Sequence, residues 1–259
     1  MNLADRLSRP RTIHLPPADP PAQQTAAPLP QRQAAPGAAI RTVGPSAPDG
    51  PVLTLGVVRP EDAGKIEPEL ANREEWLFLR ADDDGNLHLY VSHTWFLYRL
   101  ASQVVDDWAD RPAAGFSSGC VMEPAFRHLR PAYDSLLNNH ARTAHGFDPE
   151  DHIREMARLG FTHVEVNGIA SAFPYEQAEP DELLYRFYTY CPALDQFVYS
   201  RLNKGIYPFE YLRANLNKLC HSASLAEKYG LRAGMLSFEP RSVPDQLLAR
   251  YPMLRGARV

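Results

Sequence analysis

Apolar and polar residues alternate with a period of two in the first half of the chain, which is typical of strands that bury one face. Residues 87–91 show this alternation, and residues 75–80 form a strand-like apolar run. Between them lies the turn sequence Asp82-Asp83-Asp84-Gly85-Asn86, in which Asp and Gly tolerate left-handed backbone. The pattern therefore predicts a β-hairpin. Short apolar runs predict three further strands, at 11–15, 39–43 and 52–57.

After residue 92 the apolar period changes to the three- and four-residue spacing of an amphipathic helix. Ser92 or Thr94 is expected to cap this helix, which ends near residue 110, before Pro112. Its apolar face is formed by Leu97, Leu100, Ala101, Val104 and Trp108. A sheet covered by a helix predicts a small α+β domain at 38–111. Residues 1–37 are rich in Pro and Ala and are expected to be largely irregular, because proline interrupts helices and central strands.

Helical and strand-like segments alternate in the second half of the chain, after an expected linker at 112–130. Asp148-Pro149 is a typical helix start, and Gly160 and Gly230 suit left-handed helix ends. The candidate strands are 133–138, 161–167 and 231–238, and the candidate helices are 148–159 and 208–229. This order predicts parallel α/β units.

The fold class expected for the whole chain is therefore α/β, with the N-terminal α+β domain followed by the first part of an incomplete (β/α)8 barrel at 131–259. A closed barrel takes roughly 250 residues. The segment at 131–259 holds about half that number. We therefore expect a truncated sequence, with part of the active site beyond the last residue.

Composition and charge exclude several classes of partner. The net charge is −4 and no basic run is interleaved with aromatic residues, so nucleic acid is not expected to bind. No stretch approaches the roughly 20 apolar residues that span a bilayer, so no membrane partner is expected. The N-terminus has no apolar signal region, which predicts the cytoplasm. Cys120, Cys191 and Cys220 are widely spaced and odd in number, which indicates free thiols. No metal or cofactor is expected.

Polar residues that could carry chemistry follow the predicted strands of the second half, where barrel enzymes place their active groups. Arginine offers a planar fork for a carboxylate or paired hydroxyls, asparagine both donates and accepts, and glutamate accepts from a hydroxyl or acts as an acid–base catalyst. The candidates are Asn138, Arg142 and His145 after the first strand, Asn167 after the second, and Glu239 and Arg241 after the third.

These candidates have plainer explanations as well. Glu239 and Arg241 could pair with each other in a loop, Asn167 could be a turn residue, and His145 could lie in the core or on the surface. Glycosidases commonly use two carboxyl groups. Only one strand-end carboxylate is present, so no catalytic residue is assigned. A tyrosine-rich segment at 168–207 either packs in the core or stacks on sugar rings.

Several local sequences resemble the opening of the barrel in exo-acting glycoside hydrolases, in particular the bacterial α-glucuronidase-like and β-N-acetylhexosaminidase-like families. They are Arg130-Pro131-Ala132-Tyr133, Arg142 with His145-Gly146-Phe147-Asp148, residues 158–167, Phe238-Glu239-Pro240-Arg241 and residues 250–256. The resemblance implies a carbohydrate substrate from which a terminal sugar is removed. It also implies substrate contacts from Arg142, Asn167 and Glu239, with the catalytic acids on later strands.

Two alternatives remain open. Residues 159–166 also resemble the helix–strand junction of metal-dependent sugar isomerase and epimerase barrels, although the leading α+β domain argues against that class. The other alternative is a carbohydrate-binding protein without catalytic activity. If the chain is truncated, we expect it to be inactive alone.

Overall fold

The computed structural model describes residues 1–7, 12–15, 40–42, 51–131, 148–166, 197–235 and 245–254. The described residues combine helices and strands and belong to the α/β class. They form two compact units. The first unit draws on Met1–Arg130, Ile153–His163 and Ala226–Arg232, and the second on Pro131–His152, Val164–Leu225 and Ala233–Val259.

Six described strands form one mixed sheet in the first unit. They are β1 (Thr12–Leu15), β2 (Ile40–Thr42), β3 (Val52–Val57), β4 (Leu77–Ala81), β5 (Leu87–Val91) and β6 (Cys120–Met122). Their order is β2-β1-β3-β5-β4-β6. Strands β2, β1, β3 and β5 run parallel to one another, whereas β4 is antiparallel to both β5 and β6. The pairing of Leu77 with Val91 confirms the predicted hairpin.

One face of this sheet packs in the apolar core of the first unit. Leucines at alternate positions of β3, β4 and β5 are almost fully buried. They pack against the helix Thr94–Ser102, whose apolar residues are buried as predicted. The helix departs from the prediction at both ends. Its N-cap is His93, which makes no side-chain capping bond, and a π-helical turn replaces α-helix at Gln103–Asp107.

The opposite face is covered in part by the short helix Pro60–Ile66 and the 3-10 turn Pro68–Asn72. Ala63 and Leu70 from these elements pack against Trp76 and Phe78, with Tyr90 and Val121 at the margin. Gly119 allows the chain to pass close to this cluster. Its φ is +86°, and a Cβ atom there would lie 2.7 Å from the Phe78 ring. Phe78 is fully buried, so the ring has little room to move.

Two predicted boundaries of the first unit differ from the structure. The expected linker at 112–130 contains the 3-10 turn Ala113–Phe116 and the edge strand β6, which pairs with β4. Within 1–37, strand β1 matches the strand predicted at 11–15, whereas the helix Leu3–Leu7 lies in the part expected to be largely irregular. Both additions depend on pairing or packing with residues distant in sequence, which local patterns do not report.

The helix and strand order of the second half agrees with the sequence pattern where the structure describes it. The elements are the helix Pro149–Leu159, β7 (His163–Glu165), the helix Phe209–Lys228 and β8 (Arg232–Gly234). Asp148 Oδ1 accepts a hydrogen bond from the Glu150 amide at 2.9 Å, which confirms the predicted cap. Gly160 and Gly230 have positive φ, as their helix-end positions predict. Both strands are shorter than expected.

β7 and β8 form a two-stranded sheet, and their contacts show that they are parallel. The Arg232 amide donates to the Thr162 carbonyl at 3.0 Å. Two residues further along both strands, a Cβ on Gly234 would lie 3.6 Å from the Val164 carbonyl oxygen. Residue numbers thus increase together along the pair, as they do in parallel strands joined by a helical crossover.

The second unit has its own small apolar clusters among the residues that the structure describes. Ile206, Tyr207 and Leu212 form one cluster, and Phe197 packs against Leu219 in another. Asn203 is fully buried and holds the adjoining turn, because its side chain accepts from the Ser200 amide and donates to the Val198 carbonyl, both at 2.8 Å. The helix Asp245–Arg250 and the 3-10 turn Pro252–Leu254 complete the described part. The predicted strand at 133–138 lies outside the described residues.

Candidate functional site

All six predicted site residues lie outside the described residues: Asn138, Arg142, His145, Asn167, Glu239 and Arg241. The structure does describe the strands that precede three of them. Asn167 comes directly after Val166, which is buried and follows the last residue of β7, Glu165. Glu239 and Arg241 come four and six residues after Met235, which follows β8. Since β7 and β8 are parallel, their carboxyl ends lie at the same edge of the sheet.

Glu165 is the last residue of strand β7. It is 7% exposed and therefore buried, and it is not without a partner. A buried carboxylate in a strand needs hydrogen bonds or an opposite charge, since desolvation penalises its ionised form. Glu165 is thus a second acidic residue close to a strand end. The sequence interpretation assigned it no functional role.

An aromatic and basic cluster surrounds Trp95 in the first unit, at the amino ends of β7 and β8. The guanidinium carbon of Arg232 lies 3.9 Å from the Trp95 ring centroid. The His93 ring stacks on the same indole at 4.3 Å. Burial lowers the pKa of His93, the charge of Glu75 opposes that shift, and the charge of Arg232 adds to it. His93 is consequently mostly neutral at pH 7, since even an unshifted histidine titrates near about 6.5.

His163 extends this cluster at the start of β7. Its Nδ1 atom lies 2.7 Å from the Thr162 hydroxyl, and its ring centroid is 5.0 Å from that of His128. Burial lowers the pKa of His163, and the positive charges of Arg232, His128 and Arg130 lower it further. His163 and Arg232 are the first residues of β7 and β8, so the cluster lies at the amino ends of both strands.

A second polar cluster lies on the face of the first unit's sheet opposite the buried leucines, on strands β3, β4 and β5. Arg80 on β4 is directly opposite His88 on β5, and His88 is in turn beside Thr54 on β3. Paired positions point to the same side of a sheet, so these three side chains share one face. Tyr90 lies two residues beyond His88 and hydrogen-bonds to Thr54. We refer to Thr54, Arg80, His88 and Tyr90 as the Arg80–His88 face.

Asp82 fixes one side of the His88 ring. Its Oδ2 atom lies 3.3 Å from His88 Nε2. Asn86 donates to Asp82 twice, from its amide at 2.8 Å and from its side chain at 2.9 Å, while Arg6 donates to the Asp82 carbonyl. Burial acts to raise the pKa of Asp82, but the hydrogen bonds from Asn86 and His88 outweigh it and the pKa is lowered. The carboxylate is therefore ionised at neutral pH and holds the ring in place.

Two nitrogen atoms of this face have no hydrogen-bond partner among the described residues. His88 Nδ1 and Arg80 Nε are buried, and neither has a hydrogen-bond partner in the structure described. Burial raises the pKa of Tyr90, while its bond to Thr54 and the charge of Arg80 oppose the shift. Sequence reasoning treated the aspartate run as a solvated turn and missed this face. The signal was the alternation in β4 and β5, which puts His88 and Tyr90 opposite the buried leucines.

Comparison with known proteins assigns no family, because no protein-family model and no curated protein matches this chain. Among the described residues, no group of three or more His, Cys, Asp or Glu side chains is placed to hold a metal ion. Within that same part of the chain, every helix is too short or too polar to cross a membrane.

Proposed function

We propose that this chain is a carbohydrate-active protein of the exo-acting glycoside hydrolase class, with a (β/α)8-type domain in its second half. The observation that carries the proposal is the parallel pairing of β7 with β8, each preceded by a helix that ends at a left-handed glycine. Helix–strand units of this kind are the repeating element of such barrels. The mixed sheet of the first unit corresponds to the small α+β domain that precedes the barrel in the families that the sequence resembles.

The proposed sugar contacts come from the residues that follow the parallel strands. Asn167 follows β7, and Glu239 and Arg241 follow β8, so the parallel arrangement favours their convergence at one edge. An amide, a carboxylate and a guanidinium together provide donors and acceptors for several hydroxyl groups of one sugar ring. Asn138, Arg142 and His145 would add contacts from the preceding strand–helix connection. The catalytic acid and nucleophile are not assigned.

The test is sugar binding by the purified chain and by variants at the strand ends. Isothermal titration calorimetry with glucuronic acid, N-acetylglucosamine and glucose should reveal saturable binding of at least one sugar. Asn167→Ala and Glu239→Gln should each weaken that binding about tenfold, because each removes one or two hydrogen bonds to the sugar.

Arg213→Ala is the matched control, because Arg213 is exposed and pairs with Glu210 on the solvent side of its helix. This variant should bind as tightly as the wild type. If none of the three sugars binds, or if Asn167→Ala and Glu239→Gln bind as tightly as the control, the proposed sugar site is wrong.

A further inference from the structure

Two basic residues, Arg80 and His88, are directly paired on antiparallel strands of the first unit's sheet. Their Cβ atoms are therefore about 5 Å apart. Arginine is always charged in proteins. A protonated His88 would repel it, since like charges directly opposite each other destabilise a sheet.

Both side chains also have a buried nitrogen atom without a partner, Nε of Arg80 and Nδ1 of His88. A buried polar atom without a hydrogen-bond partner loses its hydration and gains nothing in return. Asp82 contacts the other nitrogen of His88, Nε2, so it leaves Nδ1 without a partner. Each of the two paired side chains thus keeps one buried nitrogen without a partner.

A bound oxyanion would give both Arg80 and His88 a hydrogen-bond acceptor. Arg80 can donate from its guanidinium to one oxygen, and a protonated His88 can donate from Nδ1 to another while Nε2 donates to Asp82. The negative charge would also offset the repulsion between the two basic residues. Tyr90 and Thr54 place hydroxyl groups on the same face, and these could donate to a further oxygen.

We propose that the Arg80–His88 face is a binding site for a small oxyanion, either a carboxylate or a phosphate, held between the Arg80 guanidinium and the His88 ring. This site is in the first unit and does not depend on the sugar contacts proposed for the strand ends of the second half. A carboxylate would come from an acidic sugar or organic acid, and a phosphate from a phosphorylated metabolite or the free ion.

The experiment titrates the full chain with inorganic phosphate, acetate and glucuronic acid at constant ionic strength, and follows binding by calorimetry. At least one anion should bind saturably, and the variant Arg80→Met should weaken that binding tenfold or more. Arg80→Lys keeps the charge but loses the guanidinium fork, so it should give an intermediate affinity. Phosphate binding without glucuronic acid or acetate binding would assign the phosphate source, and the reverse would assign the carboxylate.

Arg213→Met and His221→Gln are the matched controls, since both residues are exposed on the helix Phe209–Lys228. They should leave the affinity unchanged. Nuclear magnetic resonance of the wild-type chain gives a readout that does not depend on any variant folding. The ring resonances of His88 should move on adding the anion that binds. Absence of saturable binding, or equal weakening by Arg80→Met and the controls, or a stationary His88 resonance, would each overturn the proposal.

Discussion

The packing of Gly119 against Phe78 gives a prediction whose size follows from the structure. In Gly119→Ala the new methyl group meets two ring carbons of Phe78, at 2.7 and 2.9 Å, and the backbone keeps a φ of +86°. The left-handed conformation costs a non-glycine residue about 1–2 kcal/mol. Overpacking in a core costs about 1–3 kcal/mol. We therefore expect Gly119→Ala to lower the free energy of unfolding of the first unit by about 2–5 kcal/mol.

Substitutions at two other glycines distinguish the cost of the left-handed backbone from the cost of overpacking. At Gly85 φ is +90° but the nearest atoms are 3.7 Å away, so Gly85→Ala should cost only the conformational part, about 1–2 kcal/mol. At Gly115 nothing lies within 4 Å and φ is not left-handed, so Gly115→Ala should change stability by less than about 0.5 kcal/mol.

Urea unfolding followed by tryptophan fluorescence is a suitable assay, because all three tryptophans, Trp76, Trp95 and Trp108, belong to the first unit. In a Phe78→Leu background, Gly119→Ala should cost little more than Gly85→Ala, since the contacting ring is gone. The reasoning is refuted if Gly119→Ala and Gly85→Ala are equally destabilising in the wild-type background.

Two further predictions concern the Trp95 cluster and the helix cap. The pKa values of His93 and His163 are lowered in the folded chain, so the unfolded chain binds protons more readily. The free energy of unfolding should therefore decline as the pH falls from 7 through about 6.5 to 5. Urea unfolding across that range measures this decline, and a constant free energy of unfolding would contradict the prediction. Arg232→Ala should raise both pKa values, as histidine resonance titration would show, while Arg213→Ala should leave them unchanged. Asp148→Ala should lower the free energy of unfolding by about 1 kcal/mol, because the hydrogen bond from the Glu150 amide is lost. Circular dichroism during urea unfolding measures this change, and a value below about 0.3 kcal/mol would show that the cap contributes little.

Features fixed by neighbouring residues were the most predictable from the sequence. The Asp82–Asn86 turn, the Asp148 cap and the glycines at 160 and 230 all act within a few residues of chain, and the structure has each of them. Strand β6 was missed because it is three residues long and exists only through its pairing with β4. The His93 cap was missed because a helix start without a capping side chain leaves no local signal.

The candidate sites likewise combine features that neighbouring residues determine with features that distant parts of the chain determine. Alternation in β4 and β5 already implied that Arg80 and His88 share a face. The sequence could not show that one nitrogen of each is buried without a partner, because that depends on what the surrounding chain covers. The sugar contacts at the strand ends stay predictions, since Asn167, Glu239 and Arg241 lie outside the described residues.

We propose that the residues following β7 and β8 converge on a sugar. A map of backbone amide resonances during titration with glucuronic acid, N-acetylglucosamine and glucose in turn tests this proposal. We expect one sugar to shift the amides of Asn167, Glu239 and Arg241 together, with a common dissociation constant. Saturable shifts confined to other parts of the chain, or no shifts with any of the three sugars, would contradict it.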